Sequence, residues 1–193
     1  MSPRTTAKNE EIRQESAQNI MDAAFLLIAR QGYESTSISQ IATEAGVSKG
    51  LLYNYFDSKE DLLRKLVERA FQQGDNVLAN LISTDPAVTL KNIFQWFFRE
   101  MKERPDHWKM MTELTFKIEK FQFIHDMASL KMKGYVGFIE NLLRQLEFKD
   151  PIGESRLLAA LFDGIAVQYM VVRDEYPLDE VEKYLIDKYC HQQ

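Results

Sequence analysis

Apolar side chains along this chain recur at spacings of three and four, the period of helices, and the chain reads as helices throughout. Ile20, Ala24, Leu27 and Ile28 form one such stripe, and Gly32 follows as a stop, so a first helix is predicted over residues 8–31. Ile38, Ile41, Ala42 and Ala45 give a short second helix, over 37–45, a single apolar face. Gly46 then supplies the left-handed conformation that ends a helix sharply. Ser48 can cap a third helix over 48–55, with Val47 plugging the gap between the two. Leu52 and Phe56, four apart, point inward, which leaves Lys49, Gly50, Tyr53, Asn54 and Tyr55 on other faces. Two short helices joined by so tight a turn can set the second one in a DNA major groove. Outward Lys, Tyr and Asn suit contact with phosphates and base edges.

The helical pattern continues to the end of the chain. Ser58 reads as the cap of a helix reaching Leu81, with Asp61 where a capping Glu or Gln usually stands and Gly74 as a point where a bend is absorbed. Ser83-Thr84-Asp85-Pro86 is a break, and Pro86 suits the first turn of a helix ending near Arg104-Pro105. A long helix ends at Leu146, with Gly134 and Gly137 marking close packing or local loosening, and 149–154 breaks it. The next helix, predicted over 155–173, carries two apolar stripes. One is Leu158, Leu161, Phe162, Ile165, Tyr169 and Val172; the other is Leu157, Ala160, Gly164, Val167 and Val171. One stripe suffices to dock a helix on its own chain, so two imply burial nearly all round. A last helix opens at Pro177, ends near Tyr189 and adds Leu178, Val181 and Leu185. The expected homodimer interface is therefore Leu157, Ala160, Gly164, Val167, Val171, Val181 and Leu185, a four-helix contact about a two-fold axis. The competing expectation is that the second stripe meets other helices of the same chain.

Ile41-Ala42, Ala45-Gly46-Val47-Ser48, Leu52-Tyr53, Tyr55-Phe56 and Ser58-Lys59-Glu60, preceded by Ile20, Ala23, Ala24, Gly32 and Tyr33, resemble the DNA-binding signature of the TetR family of transcription regulators. Asp163-Gly164-Ile165 resembles that family's carboxy-terminal half more loosely. The resemblance implies an all-α protein of two domains: a DNA-binding helix-turn-helix domain over 1–57, and a larger effector-binding and dimerisation domain over 58–193. It further implies a homodimeric regulator, a repressor more than an activator, bound to a pseudo-palindromic double-stranded DNA operator and released by a small effector. Carried over residue by residue, the family's DNA contacts fall on Ser37, Ser39, Lys49, Gly50, Leu51, Tyr53, Tyr55 and Lys59. Leu51 departs from the small or hydroxyl residue expected there and suits a thymine methyl group.

Charge complicates this picture. Residues 1–60 hold six Lys/Arg against eight Asp/Glu, and the whole chain has a formal net charge of −5. A basic footprint must therefore come from placement: Arg4 and Lys8 in the arm, Lys49 and Lys59 around the motif. From Phe94 onward the chain is rich in aromatics and Met, which fill cores but also line apolar cavities. The family uses this region for its effector, so Phe94, Phe97, Phe98, Met101, Trp108, Met111, Phe116, Met127 and Phe138 are the candidate lining of a site for an apolar or amphipathic molecule. His107, Glu113, Lys117 and Gln122 are polar groups that could orient it.

The remaining features exclude more than they assign. No Gly-rich phosphate loop, nucleophile elbow or metal-ligand spacing appears, so the chain reads as neither enzyme nor metalloprotein, and no cofactor is expected. The single Cys190 fits a reducing compartment. The polar start of the chain argues against a secretory signal, and no apolar run approaches the roughly 20 residues that span a bilayer. No membrane contact and a cytoplasmic location are the expectation. Two other readings stay open: a DNA-binding protein without an effector, acting architecturally or through a protein partner, and a helical carrier or enzyme that merely contains the two-helix corner.

Overall fold

The computed structural model describes residues 3–109 and 121–190, and among them every α-helical or 3-10 element is accompanied only by turns and loops, with no strand. Contacts divide the chain into two compact units, Met1–Ala70 and Phe71–Gln193.

In the first unit, α1 (Pro3–Gln31) starts five residues before the predicted position and buries Ile20, Ala23, Ala24, Ile28 and Ala29, with Leu27 half-buried beside them. Gly32, at φ 82°, ends it. The turn to the next helix is held by Thr36, whose buried hydroxyl donates to the Gly32 carbonyl at 2.8 Å. α2 (Ile38–Glu44) opens with a complete capping box. Ser37 Oγ accepts from the Gln40 N–H at 3.2 Å, and Gln40 Oε1 accepts from the Ser37 N–H at 2.8 Å. It closes with a Schellman motif: the Val47 N–H reaches the Ala42 carbonyl at 2.9 Å and the Gly46 N–H reaches Thr43 at 3.1 Å, with Gly46 at φ 67°.

α3 (Lys49–Tyr53) is capped by Ser48, whose Oγ accepts from the Leu51 N–H at 3.0 Å. It is shorter than the predicted 48–55 because the chain tightens after Tyr53: the Asn54 and Tyr55 N–H groups bond three residues back, to Leu51 and Leu52, each at 3.0 Å. α4 (Lys59–Leu81) is capped by Ser58, which accepts from the Asp61 N–H at 3.0 Å. The shorter Asp61 side chain reaches the Asp57 N–H instead of completing a capping box. Sequence placed a domain boundary at 57/58, ahead of α4; the compact units part at 70/71. The first half of α4 buries Leu62, Leu63, Leu66 and Val67, and Arg69 pairs with Asp22 of α1 at 2.7 Å.

The second unit holds α5 (Pro86–Glu103), a helical stretch over 105–109, α6 (Gln122–Gln145), α7 (Pro151–Val172), a 3-10 turn (Arg173–Glu175) and α8 (Leu178–Cys190). Asp85 caps α5 by accepting from the Ala87 N–H at 2.8 Å. The core joins α5 to α8 and α6 to α7, with Leu90, Phe94, Phe98, Leu143 and Leu158 wholly buried. Two glycine expectations change. Gly74 does not interrupt α4; a Cβ there would lie 3.3 Å from the Tyr135 hydroxyl, which donates to Asp75 at 3.1 Å while Lys131 pairs with the same carboxylate. Close approach, not a bend, is what that glycine permits. Around Gly134 and Gly137 nothing lies within 4 Å of an added Cβ, so neither marks close packing.

α7 begins at Pro151, four residues before the predicted start, because Pro151 occupies the first turn and Asp150 caps it by accepting from the Gly153 N–H at 2.9 Å. The expectation about apolar length concerns uninterrupted runs, and this helix passes a different measure. Its 22 residues are long and apolar enough, by length and composition alone, to cross a membrane. A search for uninterrupted apolar runs passes over it, since Glu154, Arg156 and Asp163 punctuate it.

Candidate functional site

The residues expected at DNA all belong to the first unit. Ser37, Ser39, Lys49, Gly50, Leu51 and Tyr53 are all exposed, while Tyr55 and Lys59 are half-buried. α2 and α3 can present them because Ile41, Ala42, Leu52 and Phe56 are buried on the opposite side. Tyr53 and Leu51 are large side chains left 46% and 36% exposed on a five-residue helix. Lys49 has no ion-pair partner among the described residues, so its charge is available.

The two half-buried members are held by their neighbours. The Lys59 ammonium sits 4.1 Å from the centre of the Tyr33 ring, a cation–π contact. Burial, with Glu60 and Glu34 nearby, pushes the Tyr33 hydroxyl above its ordinary pKa, so it stays protonated. The Tyr55 carbonyl accepts from Lys65 at 3.0 Å, and Lys65 also pairs with Asp61 at 3.1 Å and lies over Phe56. α4 thereby bolts down the turn that follows α3. Sequence reasoning missed Arg13, whose exposed guanidinium lies 6.0 Å from the Tyr55 ring centre. It comes from α1, far away along the chain, and no local pattern marks it. Of the arm residues, Lys8 is exposed, and the Arg4 side chain lies outside the described residues.

The aromatic region of the second unit sorts into core and surroundings. Phe94, Phe97, Phe98 and Met101 are buried in the common core, Trp108 and Phe138 pack against it, and Met127 is half-buried on α6. Met110, Met111, Glu113, Phe116 and Lys117 lie outside the described residues. Phe97 is the hub: its ring centre is 5.2 Å from Trp108, edge-on, 5.3 Å from Phe98 and 4.6 Å from Phe162. Phe162 and Tyr189 were not expected here. They reach this cluster from α7 and α8, with Phe94 at 5.8 and 6.0 Å from their rings. Beside Trp108, burial and, secondarily, the Arg104 charge hold His107 down to about 4, so its imidazole is neutral near pH 7. Gln122 is exposed and bonds Asp126 at 2.8 Å, turned to its own helix surface.

α7 separates its two stripes except at its end, where Val172 of the first is 42% exposed. Leu158 and Ile165 are buried, and Leu161, Phe162 and Tyr169 pack on the core. On the other stripe Leu157 is 46% exposed, Val167 39% and Val171 77%; Ala160 is exposed, and nothing lies within 4 Å of a Cβ added at Gly164. That stripe meets no other helix of this chain among the described residues. The expectation fails for α8: Leu185 is 3% exposed and sits in its own chain's core, with Val181 packed against the same core. The reason is that Leu178, Leu185 and Tyr189 form the only apolar stripe of α8, and packing on α5 uses it. Tyr184, 66% exposed, is the large side chain that α8 turns outward.

Residues 20–66 match the family described as bacterial regulatory proteins, tetR family. The uncharacterized HTH-type transcriptional regulator YfiR of Bacillus subtilis is 34% identical over 74 residues, 38% of this chain and 35% of that protein. The chain thus aligns with little more than a third of that relative's length. The HTH-type transcriptional repressor NemR of Escherichia coli is 24% identical over 183 residues, covering 89% of this chain and 92% of that one. Among solved structures, a TetR transcription regulator from Haloarcula marismortui superposes with a TM-score of 0.81 at 20% identity, over 92% of this chain and 97% of the other.

Proposed function

Because the chain belongs to the TetR family of bacterial regulatory proteins, we propose that it is a transcription repressor that binds a pseudo-palindromic operator as a homodimer and is released by an apolar or amphipathic small molecule. The observation that supports this reading is the exposure of Ser37, Ser39, Lys49, Gly50, Leu51 and Tyr53 on α2 and α3, whose Ile41, Ala42 and Leu52 are buried. α3 is the recognition helix. Lys49, Lys59 and Arg13 supply phosphate contacts, and Tyr53, Tyr55 and Leu51 supply the base-edge and methyl contacts. Residues 58–193 bind the effector and dimerise, and the bare stripe Leu157–Ala160–Gly164–Val167–Val171 of α7 is the surface that a second copy covers.

Two recognition helices on one two-fold axis must match half-sites about 34–36 Å apart, or a multiple of that. An effector that binds better to a state with another spacing draws the dimer off its operator by population shift. A second reading, regulation without an effector, draws on Phe94, Phe98 and Met101, which are simply core. The buried, unpartnered indole N–H of Trp108 favours the effector instead.

The test is a footprint of the purified protein on the DNA flanking its own gene, with stoichiometry from analytical ultracentrifugation. Two chains protecting two symmetric half-sites, and loss of protection with some apolar compounds, are the expected results. Protection by a single chain, or of asymmetric DNA, would refute the operator model.

A further inference from the structure

The Trp108 indole nitrogen is buried and has no hydrogen-bond partner. An indole N–H can only donate, so whatever completes it must be an acceptor. Leaving such a donor buried and unmet is costly, which sets it apart from the surrounding core. Its neighbourhood is apolar: Phe97 meets the Trp108 ring edge-on at 5.2 Å, and Phe162 lies 4.6 Å from Phe97. The adjacent His107 is neutral near pH 7. The cation that acts on His107, Arg104, already pairs with Glu100 at 3.2 Å and so does not offer a buried carboxylate its counter-charge.

Resting on the effector reading above, we infer that the Trp108 N–H donates to the effector, which is a molecule with an uncharged oxygen acceptor, such as a ketone, ester or ether, on an apolar and aromatic-compatible body. Phe97 and Phe162 hold that body, and Trp108 fixes the position of its oxygen.

Two probes of matched shape test this: 2-acetylnaphthalene, which carries the carbonyl, and 2-ethylnaphthalene, which lacks it. Affinities of both are measured for the full chain and for Trp108→Phe, which keeps an aromatic ring and removes the donor. The preference for the ketone over the hydrocarbon should fall about 3- to 10-fold in the variant, the worth of one buried hydrogen bond. The chain has two tryptophans, so the native protein shows two indole N–H signals by NMR, and the variant identifies that of Trp108. The ketone should shift that signal downfield and the hydrocarbon should not, a readout that does not depend on the variant folding. If both probes bind and neither the preference nor the signal responds to the carbonyl, the Trp108 assignment is overturned while the effector reading stands. If neither probe binds or raises the melting temperature, the effector reading falls and takes the inference with it.

Discussion

The turn between α2 and α3 aims the recognition helix, and two glycines four residues apart make its physics measurable. Gly46 sits at φ 67° inside the Schellman motif, and a Cβ added there meets nothing within 4 Å. Gly46→Ala therefore costs no packing, only the left-handed backbone penalty of about 1–2 kcal/mol for an L side chain. The unfolded chain loses some freedom as well, which returns about 0.4–1 kcal/mol. A net loss of about 1 kcal/mol is expected. Gly50 lies within α3, its φ is not in the left-handed range, and an added Cβ finds only the Ser48 hydroxyl at 4.0 Å. Gly50→Ala should therefore stabilise by about 0.5 kcal/mol, part of the helix-propensity difference. Thermal melts at one protein concentration separate the two. The Gly46 variant should melt about 4–8 °C lower if the first unit unfolds alone, or about 2–4 °C lower if the whole chain unfolds together. Operator binding should reverse the ranking at Gly50, where the stabilised variant binds DNA more weakly because its new methyl group stands at the proposed interface. A Gly46→Ala protein as stable as the parent, or equal losses at both glycines, would refute the reasoning.

Three further outcomes are expected. Lys49→Ala should weaken binding to all DNA sequences alike and, with one phosphate lost per subunit, flatten the dimer's log–log salt slope by about 2, measured by fluorescence anisotropy; unchanged affinity would remove α3 from the interface. Ala160→Arg should give a folded monomer with little operator affinity, and a dimer on size-exclusion chromatography would put the interface elsewhere. For His107, held from 6.5 down to about 4, the unfolded chain takes up the proton first as pH falls, so about 3 kcal/mol of stability present above pH 6.5 should drain away between about 6.5 and 4. Urea titrations of His107→Gln should show that loss reduced, and an unaltered pH profile would mean the imidazole is not buried in solution.

What the sequence made legible was local chemistry. Gly32 and Gly46 have positive φ, Ser48 and Ser58 cap, and each follows from a requirement that few residues can meet. Proline was read less well. Pro86 and Pro151 both occupy first turns, yet the run 149–154 reads as a break, because a proline two residues before a glycine signals a loop as readily as a helix start. Arg13 could not be found at all, since its approach to Tyr55 depends on how α1 packs and not on spacing.

The contrast between α7 and α8 shows where periodicity stops being informative. A stripe at spacings of three and four says that a face is apolar, but not what covers it. α8 has one stripe, and since a helix must first dock on its own chain, Leu178, Leu185 and Tyr189 are used on α5. α7 keeps its first stripe, from Leu158 to Tyr169, on the core, while its second, from Leu157 to Val171, is bare. Counting stripes against the neighbours a single chain can supply would have removed Leu185 from the interface and kept Ala160 and Gly164. A surplus stripe is thus the sequence signal for a partner, and α7 carries one where α8 carries only the outward Tyr184.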